Sequence, residues 1–349
     1  MSTGGKIRVL IVDDSPLVCE ALKVILSSEP SIDIVGIARN GAEALQKTIA
    51  LKPSVITMDL RMPVMDGLEA IDRIMEEMPT PIIIVSSIDP KLTIKALGTG
   101  AMDFVSITDD INQIAQNLIE KVKIASRVKP IRRINIVKAK IAAYEKKSPA
   151  NAAARSSQPH RVVAIGISTG GPQALQVLFS KLPHDLPATI LVVQHISRGF
   201  VGGLVEWLHD LSNIEMKVAA SGDQVNASTV LFAPDDYHIG VDPDGKISLH
   251  EDIGKKASHV PSIDFMMQSV AEVYGNRVLG VLMTGMGRDG VKGMSAIKEA
   301  GGKTVAQDEK SSVIFGMNKL AIECNCVDRV ASLEEMADII KTYCEEGRI

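Results

Sequence analysis

A serine lies in a glycine-rich turn in the second half of the chain. Gly166, Ser168 and Gly170 give the pattern Gly-x-Ser-x-Gly between the apolar run 162–167 and a helical stretch that begins near Pro172. Such a turn exposes a serine hydroxyl beside backbone N–H groups, as attack on a carbonyl and stabilisation of the resulting oxyanion require. A phosphate-binding glycine turn or a structural strand-to-helix corner has the same pattern. The turn alone leaves these three interpretations open.

A nucleophilic serine needs a base, and the base needs an orienting acid. His195 directly follows the apolar run 188–194, and Asp289 lies in a glycine-rich turn after the run 278–283. If these runs are strands of one parallel sheet, their carboxyl ends meet at the edge that carries Ser168. The pattern therefore predicts Ser168 as nucleophile, His195 as general base and Asp289 as orienting acid. The chain order differs from that of α/β-hydrolases, in which the histidine comes last.

Acidic residues end two strands in the first half of the chain. Asp13 and Asp14 follow the first predicted strand, and Asp59 follows the third. Carboxylates that converge at one sheet edge repel one another unless a hard cation such as Mg²⁺ binds them. Mg²⁺ beside an aspartate suggests phosphoryl chemistry. The alternative is that these acids only end strands or cap helices, as the residues around Ser15 and Pro16 could do.

Apolar periodicity predicts the elements that would position both groups. In the first 126 residues, short β-branched runs alternate with amphipathic stretches, the pattern of a doubly wound α/β domain with a five-stranded parallel sheet. The predicted strands are 7–12, 33–38, 54–58, 81–86 and 103–105, and the helices are 16–28, 42–51, 67–77, 90–97 and 110–126.

The second half restarts at Arg161 and predicts another α/β domain with a mostly parallel sheet. A tight turn from Asp242 to Gly245 indicates a hairpin in its middle. The predicted strands are 162–167, 188–194, 215–219, 230–233, 237–241, 247–250, 278–283 and 303–306, and the helices lie near 172 and over 199–211, 262–274, 290–300 and 333–344.

Composition excludes several classes of protein. The 349 residues suffice for two domains, and no apolar run approaches the ~20 residues of a membrane helix, which predicts a cytoplasmic protein without membrane insertion. Four scattered cysteines make no disulfide framework. Residues 121–155 hold eleven Lys and Arg and one acid, so 127–159 is predicted to be a basic linker. Only Tyr144 could stack on bases there, which argues against nucleic-acid binding.

Residues 6–126 resemble the receiver domains of two-component response regulators. Besides the acids, the resemblance rests on Ser86 at the end of the fourth strand and on the turn from Met62 to Gly67. It implies Asp59 as phosphoacceptor, Asp13, Asp14, Asp59 and the Arg61 backbone carbonyl as Mg²⁺ ligands, and Ser86 as the switch hydroxyl. Receivers usually carry a lysine after the fifth strand, where this chain has Ile107. This difference predicts uncompensated negative charge in the pocket and slower or less strongly coupled phosphorylation.

Residues 160–349 resemble the catalytic domain of CheB-type chemotaxis methylesterases. The residues that carry the resemblance are 164–172, 194–195, 232–234, His238, 261–264, 282–290 and 306–309. The resemblance assigns the same roles to Ser168, His195 and Asp289, makes the Met286 backbone N–H an oxyanion donor, and requires no cofactor for the esterase. Arg288 and Asn318 depart from the usual small residue and proline.

Together the resemblances imply a phosphorylation-regulated serine esterase. Its substrates would be glutamate γ-methyl esters, and also glutamines, on the cytoplasmic helices of methyl-accepting chemoreceptors, and a chemotaxis histidine kinase would donate the phosphoryl group. The unphosphorylated receiver is expected to cover the esterase cleft. Two alternatives remain at this point: a regulator whose second domain is a non-catalytic interaction module, and a nucleotide-binding enzyme, which would lack the lysine of a P-loop.

Overall fold

Five short strands, each followed by a helix, form the first domain. In this computed structural model, which describes residues 5–86, 89–107, 111–128, 160–225, 228–253 and 259–349, all pairs of neighbouring strands in its sheet are parallel, in the order β2-β1-β3-β4-β5. The elements are β1 (Ile7–Val12), α1 (Pro16–Ser27), β2 (Ile32–Ala38), α2 (Gly41–Leu51), β3 (Val55–Met58), α3 (Gly67–Glu77), β4 (Ile82–Ser86), α4 (Pro90–Thr99), β5 (Asp103–Ser106) and α5 (Ile111–Ala125).

The order of these strands creates the binding crevice. The chain leaves β1 for β2 on one side and returns to β3 on the other, so the carboxyl ends of β1 and β3 face a switch point. Polar residues start the helices that follow: Ser15 caps α1, Asn40 caps α2, Asp66 caps α3 and Asp89 caps α4. Because Ser15 caps α1, the neighbouring acids are not needed for that purpose.

A seven-stranded parallel sheet forms the second domain, in the order β14-β13-β12-β6-β7-β9-β8. The short pair β10 and β11 forms the predicted antiparallel hairpin. The elements are β6 (Arg161–Ile167), α6 (Gly171–Phe179), β7 (Ala188–Gln194), α7 (Val201–Asp210), β8 (Glu215–Val218), β9 (Thr229–Phe232), β10 (His238–Val241), β11 (Ile247–His250), α8 (Ile263–Tyr274), β12 (Val278–Leu282), α9 (Val291–Glu299), β13 (Lys303–Gln307), α10 (Met317–Glu323), β14 (Arg329–Ala331) and α11 (Leu333–Glu346).

The predicted fold class is confirmed, but helix α10 and strand β14 were not predicted. Helix α10 spans seven residues and strand β14 only three, two of them exposed, so neither contains enough apolar repeats to reveal its period. Apart from Arg127 and Val128, the predicted linker 127–159 lies outside the described residues, and its boundaries stay a prediction.

Helix α4 of the first domain packs against α6 and α7 of the second. The absence of a side chain at Gly98 makes room for Trp207, since a Cβ there would lie 2.4 Å from the indole ring. The rings of Phe104 and Phe200 lie 4.2 Å apart, and Gln173 donates a hydrogen bond of 3.0 Å to the Leu97 carbonyl. The contact therefore combines apolar packing with a hydrogen bond to the last turn of α4.

Candidate functional site

The Ser168 turn joins β6, the central strand of the second sheet, to α6. The Ser168 N–H donates to the Thr284 carbonyl (3.0 Å), and its carbonyl accepts from the Gly171 N–H (2.8 Å), so the turn is fixed on both sides. Gly170 has a φ of +80°, in the left-handed region that favours glycine. A Cβ on Gly285 would lie 2.7 Å from that of Ser168, so only glycine at 285 lets the next turn approach this closely.

His195 and Asp289 form the direct contact that the sequence predicted. His195 follows β7, and its Nε2 lies 3.0 Å from Oδ2 of Asp289. Because an ionised carboxylate only accepts hydrogen bonds, Nε2 carries the hydrogen and Nδ1 presents a lone pair. Nδ1 is buried and has no hydrogen-bond partner among the described residues, so it is not hydrogen-bonded to Ser168 either. The imidazole is therefore held at one nitrogen, and the other is available as a base.

The carboxylate of Asp289 sits at the N-terminus of α8. It accepts hydrogen bonds from the Ser262 hydroxyl (2.9 Å) and from the N–H groups of Ile263 (2.8 Å) and Asp264 (2.9 Å). Burial alone would raise its pKa, but these donors and His195 outweigh burial and hold the pKa at about 2. Asp289 is therefore ionised at neutral pH and can stabilise a positive charge on the imidazole.

Asp264 reciprocates this arrangement across the helix pair. Its carboxylate accepts from the N–H groups of Gly290 and Gly293, each at 2.8 Å, at the start of α9. Asp289, just before α9, thus accepts hydrogen bonds from backbone N–H groups at the start of α8, and Asp264 in α8 accepts them from N–H groups at the start of α9. No role for Ser262 or Asp264 is predicted from the sequence, although Ser262 before an apolar run is a recognisable N-cap signal.

A cavity of about 300 Å³ lies between the two domains and contains the candidate nucleophile and base. Ser168, His195 and Gln194 line it from the second domain, while Phe104 and Lys121 belong to the first-domain wall. The Lys121 ammonium pairs with Asp103 at 2.5 Å, so the charges of this pair compensate each other. First-domain side chains therefore cover the edge of the second sheet at which Ser168 lies.

Met286, the predicted oxyanion donor, follows Gly285 in the turn that touches Ser168. The Gly285 carbonyl accepts from the N–H groups of Gly316 and Met317, which fixes this turn, and the Met286 N–H has no acceptor among the described residues. An uncommitted N–H in a fixed turn beside the serine suits an oxyanion donor, and the role stays a prediction.

Asn318 occupies a fully buried position beneath this turn. Its Nδ2 donates to the Gln307 carbonyl at 2.9 Å, and Gln307 Oε1 accepts from the Thr284 N–H. Thr284 in turn donates to the carbonyl of Thr169. The asparagine, where proline is usual, thus belongs to a polar network that supports the nucleophile turn. Arg288 is exposed.

The first domain brings Asp13 and Asp59 together at its switch point. The Ser86 hydroxyl donates to Asp59 Oδ1 at 2.7 Å, and the Arg61 N–H donates to Oδ2 at 3.0 Å. Burial raises the pKa of Asp13 to about 6, the negative charges of Asp59 and Asp14 add to this effect, and the Ser15 N–H opposes it. Asp14 is exposed at the rim.

The raised pKa of Asp13 among neighbouring acids is the observation that tests the fit of Mg²⁺. Burial is the main cause of the raised pKa of Asp13, and the negative charges of Asp59 and Asp14 add to it; a divalent cation would offset both effects, and carboxylate and carbonyl oxygens are its preferred ligands. The acid cluster therefore fits Mg²⁺.

Ile107 is half-buried and packs against the core beneath β5, and its N–H donates to the Ser86 carbonyl. The positive charge acting on Asp13 comes instead from Arg39, which lowers the pKa of that carboxyl, and the Arg39 guanidinium lies 3.5 Å from the Asp14 carbonyl. Arg61 turns outward to pair with Asp89. Arg39 therefore compensates part of the charge that the usual lysine would neutralise.

No helix of the described residues is both long and apolar enough to cross a lipid bilayer.

Comparison with known proteins finds matches to both halves of the chain. The family model "CheB methylesterase" matches residues 163–340, and "Response regulator receiver domain" matches residues 9–119. A protein-glutamate methylesterase/protein-glutamine glutaminase from Pyrococcus abyssi is 41% identical over 97% of this chain and 94% of its own length. A protein of the same name from Symbiobacterium thermophilum is 40% identical over 98% of both chains.

A solved structure is similar to the second domain. The crystal structure of the Thermotoga maritima CheB methylesterase catalytic domain is 36% identical, with a TM-score of 0.50, and the match covers 52% of this chain and 98% of that one. These similarities favour an esterase over the non-catalytic module that the sequence analysis left open.

Proposed function

From the premise that this chain belongs to the CheB methylesterase family and carries a response regulator receiver domain, we propose that it is a phosphorylation-regulated protein-glutamate methylesterase and protein-glutamine glutaminase. The observation that carries the proposal is the contact of His195 Nε2 with the carboxylate of Asp289: because that carboxylate can only accept, Nε2 is the donor, and buried Nδ1 is left to accept a proton. A histidine held in this way is suited to act as the base for a nucleophilic serine. It therefore favours an esterase over a nucleotide-binding enzyme.

The reaction begins when the Ser168 hydroxyl attacks the γ-carbonyl carbon of a glutamate methyl ester while His195 Nδ1 takes its proton. The oxyanion accepts a hydrogen bond from the Met286 N–H, and one such donor contributes about 3 kcal/mol in comparable sites. Cleavage of the C–O bond releases methanol, which carries away the proton from Nδ1. Water then attacks the acyl-serine with His195 again as base, and the bond from the acyl carbon to the serine oxygen breaks as Nδ1 returns the proton to Ser168, which releases glutamate. With a glutamine, the same steps release ammonia.

Asp289 stays ionised throughout this cycle. Its pKa of about 2 means that it does not take the proton from the imidazolium, and its charge stabilises that cation. The serine, the histidine and the aspartate thus act as nucleophile, base and orienting acid, and the esterase needs no cofactor.

Regulation acts through the receiver domain. Asp59 accepts the phosphoryl group from a chemotaxis histidine kinase; Asp13, Asp14, Asp59 and the Arg61 carbonyl would hold Mg²⁺, and Ser86 would be the switch hydroxyl. When bound, Mg²⁺ neutralises the acids and the transferred phosphoryl group. Receiver side chains line the cavity that contains Ser168, so a domain shift driven by phosphorylation would expose the serine.

The protein substrate consists of the cytoplasmic helices of methyl-accepting chemoreceptors, which would place the enzyme in the cytoplasm, without nucleic acid as a partner. A helix does not fit a cavity of about 300 Å³ that the receiver partly encloses. We therefore expect little activity toward the receptor before phosphorylation.

Methanol release from methyl-esterified receptor membranes tests this function. The full chain is assayed with and without Mg²⁺ and a small phosphodonor, beside Ser168→Ala and Asp59→Asn. We expect release to rise with the phosphodonor, to vanish in Ser168→Ala, and to lose only its phosphodonor dependence in Asp59→Asn. Full activity in Ser168→Ala would exclude the serine mechanism.

A further inference from the structure

A second histidine, His259, lies against the ring of His195. The two ring centroids are 4.3 Å apart, and the planes differ by 9°, so the imidazoles stack face to face. His259 also lines the interdomain cavity together with Ser168. Nothing in the sequence pattern indicates this contact, because the two histidines belong to separate loops.

The segment that carries His259 is the one that fixes Asp289. Three residues later, Ser262 donates its hydroxyl to Asp289, and its N–H donates to His238 Nδ1 at 3.0 Å. The next N–H groups, of Ile263 and Asp264, bind the same carboxylate. One short segment, 259–264, therefore holds the orienting acid by hydrogen bonds and contacts the base through its ring face.

The stack with His259 restricts a tilt of the His195 ring that the hydrogen bond to Asp289 does not prevent. His195 is held at Nε2 only, and a ring bonded at one edge can still tilt about that bond. A flat ring against its face restricts this tilt, and aromatic rings in such contact contribute attraction beyond the area they bury. The direction of Nδ1, and hence of the lone pair that accepts the serine proton, then depends on the stack.

His259 is suited to remain uncharged beneath an imidazolium. Although His259 is an exposed residue, partial desolvation by the protein around its ring lowers its pKa, a positive charge on His195 lowers it further, and Asp289 opposes both effects. A neutral π-face under a cation is favourable, whereas two stacked cations would repel each other.

The same three side chains could be mistaken for a metal site, since one ligand atom from each of His195, His259 and Asp289 lies within 4.8 Å of the others. Histidine binds metals through lone pairs in the ring plane. Because the two ring planes are nearly parallel, their lone pairs do not converge on one ion. Asp289 is moreover engaged by four donors. The arrangement favours a support over a metal ligand set.

We propose that His259 is a positioning residue whose imidazole supports the face of His195 and holds Nδ1 in the direction of Ser168. The proposal rests on the proposed esterase function. It assigns His259 no proton transfer and no contact with the substrate, so a flat apolar ring should replace it.

Three variants of the full chain test this role: His259→Ala, His259→Phe and the control His184→Ala, which removes an exposed histidine. In the phosphodonor-stimulated methanol assay, His259→Ala should lower kcat by about 10- to 100-fold, as misplaced catalytic groups do, with KM nearly unchanged. His259→Phe should retain most of kcat, and His184→Ala all of it. A kcat near wild type in His259→Ala, or an equal loss in His259→Phe, would overturn the proposal.

A spectroscopic measurement tests the support independently of turnover. The proton on His195 Nε2 that binds Asp289 should give a sharp downfield NMR resonance in the wild type and in His259→Phe. It should broaden or shift in His259→Ala, where the ring is free to tilt. An unchanged resonance in His259→Ala would refute the positioning role of His259, whether or not the protein is active on receptors. Inactivity of the wild type on receptors would refute only the esterase function.

Discussion

Both candidate sites lie at the carboxyl ends of parallel strands, yet they treat a buried aspartate in opposite ways. Asp289 is surrounded by donors from Ser262, Ile263, Asp264 and His195, and its pKa falls to about 2. Asp13 is buried beside two other acids, and its pKa rises to about 6. The esterase acid is thus complete within the protein, whereas the receiver acids are suited to an added cation. This difference separates a permanent catalytic group from one that responds to a ligand.

The largest expected effect comes from Asp289→Asn. The amide can turn its N–H₂ toward His195 and favour the wrong tautomer, so we expect methanol release to fall on the order of 10⁴-fold in kcat. Asp328→Asn is the control, because Asp328 also accepts from a backbone N–H, that of Thr304, but lies elsewhere in the domain. Activity within tenfold of wild type in Asp289→Asn would contradict the idea that the protonation state of His195 is set by this carboxylate.

We expect coupling between the two sites to pass through α4, which packs against α6 and α7, so Gly98→Ala should weaken it. The new Cβ would meet the Trp207 ring at 2.4 Å, and overpacking of this kind costs about 1–3 kcal/mol. We expect unphosphorylated activity to rise about tenfold as the domains separate. Trp207 is the single tryptophan, so its fluorescence reports the separation directly.

Gly203→Ala is the matched control for this change. It lies in α7 at the same interface, but its Cβ would meet Pro90 at an ordinary 3.6 Å. Equal activity in the two variants would show that the α4 contact does not restrict access to Ser168.

The parts that could be predicted from the sequence are those encoded locally. Asp13, Asp59, Ser168 and His195 each directly follow an apolar strand, and parallel strands bring such positions to one edge whatever the details of packing. Strand periodicity therefore predicted both sheets and the contact between His195 and Asp289.

The parts that could not be predicted depend on the distance between loops. The His259 stack and the hydrogen bonds from Ser262 and Asp264 arise only when α8 and α9 bring their N-termini together. Similarly, the charge that Arg39 supplies near Asp13 depends on the placement of the loop after β2. No periodicity encodes these contacts, because they join segments of unrelated local structure.

Ile107→Lys should sharpen the contrast within the receiver. A lysine there would add the missing cation near the acids and the phosphoryl group, so labelling of Asp59 by a small phosphodonor should become about three- to tenfold faster, equivalent to about 1 kcal/mol. Ile107→Met, which extends the side chain without charge, is the control. In a double-mutant cycle, Arg39→Ala should slow labelling in the wild type more than in Ile107→Lys. Equal rates in Ile107→Lys and Ile107→Met would exclude charge as the cause.

An effect on stability, rather than on activity, tests the comparison most directly. Burial raises the pKa of the Asp13 carboxyl from 3.8 in the unfolded chain to about 6 in the folded protein, so without Mg²⁺ its contribution to stability declines as the pH rises from about 4 to 6. Asp289 has the opposite slope: its contribution is present above 3.8 and is lost as the pH falls toward 2. Thermal unfolding across this range should show both slopes.

Asp13→Asn separates these contributions. It should raise the stability of the Mg²⁺-free protein at pH 7 by roughly 1–2 kcal/mol, a few degrees in Tm, whereas Asp289→Asn should lower it. Asp33→Asn removes one exposed charge from β2 and controls for charge alone. Mg²⁺ should stabilise the wild type more at pH 7 than at pH 5, because protons compete for the same oxygens, and should stabilise Asp13→Asn less. If Asp13→Asn destabilised the Mg²⁺-free protein, burial and repulsion would not disfavour the Asp13 carboxylate, and the two sites would not differ in the way that their pKa values indicate.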